Sequence, residues 1–267
     1  MSTSYAVPKL MPLRAYSAHD PMLYPDSDGQ PMADNDQQYQ TMVDTRFALQ
    51  QKFRDQDAYV GANLLIYFQE GDPTKSIAPD VFVALDVPRG RRRTFLTWIE
   101  GQPPNVVLEI ASPRTWKSDV SWKKGLYLGL GVQEYFLFDP NGEYFQPLLQ
   151  GFQLEDDVYR SMPLIAGERG VIGLQSVVLG VELWAQTNDD PAMLYVLRLW
   201  DAAANAWLPT PEGETRAREE AEMRATASEA RATASEARAD AESQARQQAE
   251  SRLRDMEAEL RRLRGEA

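Results

Sequence analysis

The stretch PPNVVLEIASPRTWKSDVSWKKGLYLGLGVQEYFLFDP, residues 103–140, decides the fold. Val106 to Ala111 is a short aliphatic run behind Pro103-Pro104 and predicts a strand. A helix is expected from about Asp119 to Leu130, with Ser118 or Asp119 as its cap and Gly131 as its stop. Gln133 to Phe138 predicts another strand, closed by the turn signal Asp139-Pro140-Asn141-Gly142. Side chains alternate across a strand, so Val106, Leu108 and Ile110 share one face, and Val107, Glu109 and Ala111 the other. An ionised Glu109 in such a run is costly unless it is paired or bound to a cation. Taken alone, it fits a structural ion pair more readily than a ligand.

Working outward, Ala78–Val87 reads APDVFVALDV. Here Val81, Val83 and Leu85 form an aliphatic face, and Asp80, Phe82 and Ala84 the other. If the two strands are neighbours, Asp80 and Glu109 converge at one end of the sheet. On a helical wheel of about 100° per residue, Trp122, Leu126 and Leu130 define the buried face, with Asp119, Lys123 and Tyr127 beside it. Lys123 then points toward the sheet and Lys124 toward solvent, although a lysine in such a place commonly snorkels to water.

Further out, Asp34-Asn35-Asp36 supplies caps for a helix ending near Asp55, with Met42, Val43, Phe47, Leu49 and Phe53 as a partial apolar stripe. Tyr59 to Phe68 predicts the first strand. After Gly142, strand candidates lie around Tyr144–Leu149, Phe152–Leu154 and Val158–Met162, followed by a segment to about Leu208. Helix, three strands, helix, strand is the order of an α/β sheet with helices packed on it. Residues 1–34, rich in Pro and polar residues, read as a flexible leader, 35–210 as the domain, and 211–267 as a separate Ala/Glu/Arg-rich helix. That tail repeats ATASEAR at Ala225–Arg231 and Ala232–Arg238. Its small and apolar positions continue through Ala241, Ala245, Ala249, Leu253, Met256, Leu260 and Leu263, a coiled-coil-like seam with a stutter. The pattern fits a self-associating helix and a solitary charge-laced one equally.

Together these residues resemble a family. Pro79-Asp80, Glu109 in a strand and an inward Lys123 on the next helix are similar to the PD-(D/E)XK nuclease superfamily. Glu-Ile-Ala-Ser-Pro at 109–113, Asp119-xxx-Lys123 and Gly131-Val132-Gln133-Glu134-Tyr135 narrow the likeness to the branch described as putative restriction endonucleases. A weaker match ends SVVLGVEL at Ser176–Leu183. The resemblance implies a restriction-endonuclease-like mixed sheet core and a DNA-cleaving hydrolase. It implies that Asp80, Glu109 and the carbonyl of Ile110 ligate Mg²⁺ (or Mn²⁺), with Lys123 as a catalytic ammonium. The superfamily's lysine usually lies two residues after the Glu, where this chain has Ala111, so Lys123 stands in from the helix.

Composition restricts the alternatives. The chain of 267 residues has no cysteine, which removes disulfides, thiolate metal sites and a cysteine nucleophile. Its only histidine, His19, lies in the leader, a poor place for a triad or a zinc ligand. With no secretory pattern and no apolar run of membrane length, a soluble cytoplasmic protein is expected. The net charge is −12: the tail from Glu212 carries −3 and the rest −9. Broad nucleic-acid affinity is therefore not expected, and DNA contact needs a local basic patch. Arg89, Arg91, Arg92 and Arg93 follow the second strand, and together with Arg114 and Lys117 they are candidates for it. The competing reading is a catalytically inactive nuclease-like scaffold that acts through its coiled-coil tail.

Overall fold

The computed structural model describes residues 24–27, 29, 33–167 and 169–263. His19 and the first 23 positions of the leader lie outside the described residues. The chain forms two units, one up to Thr210 and one from Pro211.

The first unit is built on a six-stranded mixed sheet. In chain order its strands are β1 (Ala58–Ala62), β2 (Val81–Leu85), β3 (Val106–Ile110), β4 (Glu134–Phe138), β5 (Leu149–Glu155) and β6 (Val158–Ser161), and they lie side by side in that order. Helix α1 (Asp36–Lys52) precedes them, and its first turn is capped by the Asn35 side chain accepting the Gln38 N–H. Helix α2, residues 116–130, crosses from β3 to the parallel β4. Its stop is Gly131, in the left-handed region at φ 81°. The order helix, three strands, helix, strand is the restriction-endonuclease-like mixed core that the sequence implies.

The two faces of the sheet carry the expected parities. Val81, Val83, Val106, Leu108 and Ile110 join a core with Met42 and Leu49 of α1. Phe82, Ala84, Val107 and Ala111 join the other, with Tyr127 of α2. Antiparallel pairing sets Val81 opposite Leu108 and Phe82 opposite Val107. Continued by one residue, that register sets Asp80 opposite Glu109.

Local expectations are corrected, among them the strand candidate around Tyr144–Leu149, of which only Leu149 is in a strand. Tyr59 to Phe68 is not one strand: the chain turns at Asn63, at φ 45°, whose N–H donates to the carbonyls of Pro79 and Asp80. Ile66–Tyr67 then joins a separate small sheet. Helix α2 begins before Asp119 and is π-helical over Asp119–Lys123. An α-helix drifts by about 40° over four residues, and the wider turn takes up that drift. Asp119 and Lys123 are therefore buried, with Tyr127 a turn further on, whereas Trp122 is 57% exposed. Finally, residues after β6 form a second antiparallel sheet: β7 (Ile165–Gly167), β8 (Gly170–Ser176), β9 (Val181–Thr187), β10 (Tyr195–Asp201) and β11 (Ala206–Trp207). Short strands with weak alternation did not announce it. Its β10 packs on α1, where Lys52 pairs with Asp201 at 2.6 Å.

The second unit is one helix, α3 (Pro211–Leu263), opening on a proline, which suits a first helical position. From Glu212 to Arg262 every residue is exposed. Pairs one turn apart, such as Arg218–Glu222 at 3.1 Å and Arg246–Glu250 at 3.1 Å, lace its surface. Among the described residues no helix is long and apolar enough to cross a membrane.

Candidate active site

Asp80, Glu109 and Lys123 meet at the β2 N-terminal end of the sheet. Asp80 is the last residue before β2, and Glu109 the penultimate residue of β3. All three are at least nine-tenths buried, with Glu109 only 1% exposed. Asp80 Oδ2 accepts the main-chain N–H of Ile110 at 2.6 Å, and Asp80 Oδ1 accepts Gln38 Nε2 at 2.9 Å. In return the Asp80 N–H points at Glu109 Oε2 across 3.4 Å. The other Glu109 oxygen accepts the Tyr127 hydroxyl at 2.6 Å.

Lys123 bridges two carboxylates: its Nζ lies 3.0 Å from Glu109 Oε2 and 2.8 Å from Asp119 Oδ1. Asp119 is fully buried, its main-chain carbonyl accepts the Tyr135 hydroxyl at 2.8 Å, and its Oδ2 has no hydrogen-bond partner among the described residues. Three buried carboxyls around one ammonium leave an excess of negative charge. Burial, and then the charge of Glu109, push Asp80 well above the usual carboxylate range. The same two causes raise Asp119 from 3.8 to about 7. Burial alone would depress the Lys123 ammonium, but Glu109, Asp119 and Asp80 outweigh it and hold the charge on. Tyr127 is likewise raised, by burial and then by Glu109, and stays a neutral donor.

Lys124 lies outside this cluster. Its ammonium sits 3.3 Å from the centre of the Phe152 ring, and partial burial lowers its pKa. The third metal ligand inferred from the resemblance, Ile110, contributes its N–H to Asp80 here. Three residues of the cluster escaped the reading of the sequence as site members. Asp119 and Tyr127 carried a signal, a polar spacing of four on the face of Lys123. Gln38 carried none, since only the tertiary fold brings α1 to Asp80.

The arginines divide between the two ends of the sheet. Arg114 and Lys117 follow β3, beside the carboxylates; Arg114 pairs with Asp34 at 2.6 Å, and Lys117 lies over the Trp116 ring at 5.5 Å. Arg89 to Arg93 follow the far end of β2. Because β2 and β3 run antiparallel, the two groups lie at opposite ends and do not form the one patch expected. Arg92 is held by both Glu100 oxygens, at 2.6 and 2.8 Å, and Arg93 by Asp26 at 2.8 Å.

A sheet of this order, with buried Asp and Glu at one end and a lysine reaching them from the next helix, defines a restriction-endonuclease-like protein. The Uma2 family model, described as "Putative restriction endonuclease", matches residues 28–186. The chain belongs to that family. A similar solved structure is "a putative nuclease belonging to DUF820 from Anabaena variabilis ATCC 29413". It shares 18% identity with this chain, over 52% of this chain and 75% of its own, at a TM-score of 0.37. No curated protein matches.

Proposed function

We propose that this chain is a divalent-metal-dependent endonuclease that hydrolyses DNA phosphodiester bonds. The observation that carries the reading is the convergence of Asp80, Glu109 and Lys123 in one buried cluster at a sheet end. Nuclease action in general is what membership of the family supports.

The donor set fits a hard divalent cation. Among the described residues no group of three or more His, Cys, Asp or Glu side chains is arranged to hold an ion. Mg²⁺, however, commonly takes only one or two carboxylates and keeps several waters. Asp80 and Glu109 offer two, side by side; burial first, and then the charge of Glu109, raise Asp80, and a bound cation would offset both. Asp80, Glu109 and the carbonyl of Ile110 would hold Mg²⁺ or Mn²⁺, which when bound lowers the pKa of a water and neutralises charge on phosphate oxygens. The remaining tasks fall to this chain's own side chains. Lys123, kept protonated by its carboxylate neighbours, supplies positive charge toward the scissile phosphate. Tyr127 fixes the Glu109 carboxylate, and Gln38 and the Ile110 N–H fix that of Asp80. Arg114 and Lys117, at the same end, are the candidates for contact with the DNA backbone there.

The experiment is cleavage of supercoiled plasmid by the purified full-length chain with Mg²⁺ or Mn²⁺ against chelator. Metal-dependent nicking that disappears in both Asp80→Ala and Glu109→Ala supports the reading. Nicking that survives either substitution, or needs no metal, overturns it. A well-folded chain that cleaves nothing would favour the scaffold reading.

A further inference from the structure

We infer that the end of the sheet opposite the carboxylates carries a second site, for a phosphorylated small molecule of nucleotide size. Between the C-terminal half of α1, β1 and the loop after β2 lies a cavity of about 510 Å³. Five arginines line it: Arg46 and Arg54 from the helix side, and Arg89, Arg91 and Arg92 from the loop, with no carboxylate among its lining residues. Phe53 and Tyr59 supply apolar wall.

The concentration of positive charge is hard to explain by the fold alone. The first unit belongs to an acidic chain, and like charges brought into one concavity repel unless an anion joins them. Some of the five have structural duties. Arg89 donates to the Arg54 carbonyl and ties the loop to the end of the helix. Arg92 is clamped by Glu100 and by the carbonyls of Pro88 and Gly90, and its guanidinium lies 4.2 Å from the centre of the Tyr59 ring. Arg54 pairs with Asp55. Arg46 donates to the Val60 carbonyl at 3.4 Å, but neither Arg46 nor Arg91 has an ion pair among the described residues, and both line the same space. One rigid guanidinium with two that form no ion pair among the described residues, set around a concave wall, makes a preorganised receptor for phosphate oxygens.

The volume selects the ligand class. Small-molecule pockets run to roughly 300–1,000 Å³, and this one falls among them. A duplex, whose major groove alone is about 12 Å wide, does not enter; a nucleotide or a polyphosphate does. The loop that forms the wall leaves the C-terminal end of β2, while Asp80 stands before its N-terminal end. Ligand binding there is therefore separable from catalysis at the carboxylates.

The test is calorimetric titration of the full chain in chelator, without divalent metal, so that the carboxylate site stays idle and failure of the cleavage reading is a separate event. The probes are ATP, pyrophosphate and a short DNA duplex. ATP or pyrophosphate should bind, and Arg46→Glu and Arg91→Glu should each weaken binding by about tenfold or more, as expected for loss of a charge-assisted contact. Arg160→Glu, on an exposed edge strand, should leave it unchanged. Both charge reversals fall on exposed side chains, and circular dichroism melts verify that the variants fold. Absence of ATP and pyrophosphate binding, binding indifferent to both substitutions, or tighter binding of the duplex lost through the same substitutions would each overturn the proposal. The last outcome would instead mark the cavity as a subsite for the DNA backbone.

Discussion

Asp80 and Ile110 are joined by a hydrogen bond in which the Ile110 N–H donates to Asp80 Oδ2 at 2.6 Å. That contact closes the end of the β2–β3 ladder with a carboxylate. It also turns Asp80 toward Glu109, so that a single sheet end gathers charges the core would otherwise exclude.

Lys123 and Lys124 are adjacent in sequence but have different surroundings. Lys123→Met removes the ammonium between Glu109 and Asp119, and single-turnover cleavage at saturating Mg²⁺ should fall by on the order of a hundredfold. Lys124→Met loses only a contact with Phe152, on the order of 0.5–1 kcal/mol of stability, and cleavage should persist. Comparable rate losses in the two variants would remove Lys123 from the mechanism.

Asp119 makes stability depend on pH. Its carboxyl is raised from 3.8 to about 7, so between those values the folded chain holds a proton that the unfolded chain has released. Its contribution therefore favours folding at low pH and is lost as pH rises from about 4 to about 7. In metal-free buffer, Asp119→Asn should flatten the Tm-versus-pH curve across that window. A variant with the wild-type slope would show that other groups set it.

Glu134 ties the central sheet to the second one. Its carboxylate accepts the Ser176 hydroxyl and the N–H groups of Val177 and Val178, the latter two at 2.9 and 3.2 Å. Glu134→Ala leaves these donors without their acceptor and should cost on the order of 2–3 kcal/mol. Chemical denaturation reads that loss directly. A change within 0.5 kcal/mol, or about that, would mean that water replaces the carboxylate without penalty.

The tail unit should be dispensable for folding. A chain ending at Thr210 should melt cooperatively and lose the helical signal of α3 in far-ultraviolet circular dichroism. Its seam of Leu253, Met256 and Leu260, all exposed, further predicts self-association of the full chain in sedimentation velocity. Identical association states with and without the tail would assign α3 as a solitary helix.

Much of the centre of the molecule was legible in the sequence because its signals are local. Alternating aliphatic residues specify which side of β2 and β3 faces which core, and Gly131 and the Asp139–Gly142 turn punctuate the chain whatever surrounds them. A charged residue embedded in an aliphatic strand, Glu109, signals by its cost that something must pair with it, and only Asp80 and Lys123 beside it turned that signal into a candidate site. Tertiary structure decided the rest. The π turn at Asp119–Lys123 keeps Asp119, Lys123 and Tyr127 on the buried side and leaves Trp122 outward despite its hydrophobicity. Gln38 reaches Asp80 only because α1 packs across the sheet, and two arginine groups that sequence would merge are separated because β2 and β3 run antiparallel. Periodicity reports what a segment can bury. Partners distant along the chain, which only packing supplies, settle what a buried charge then touches.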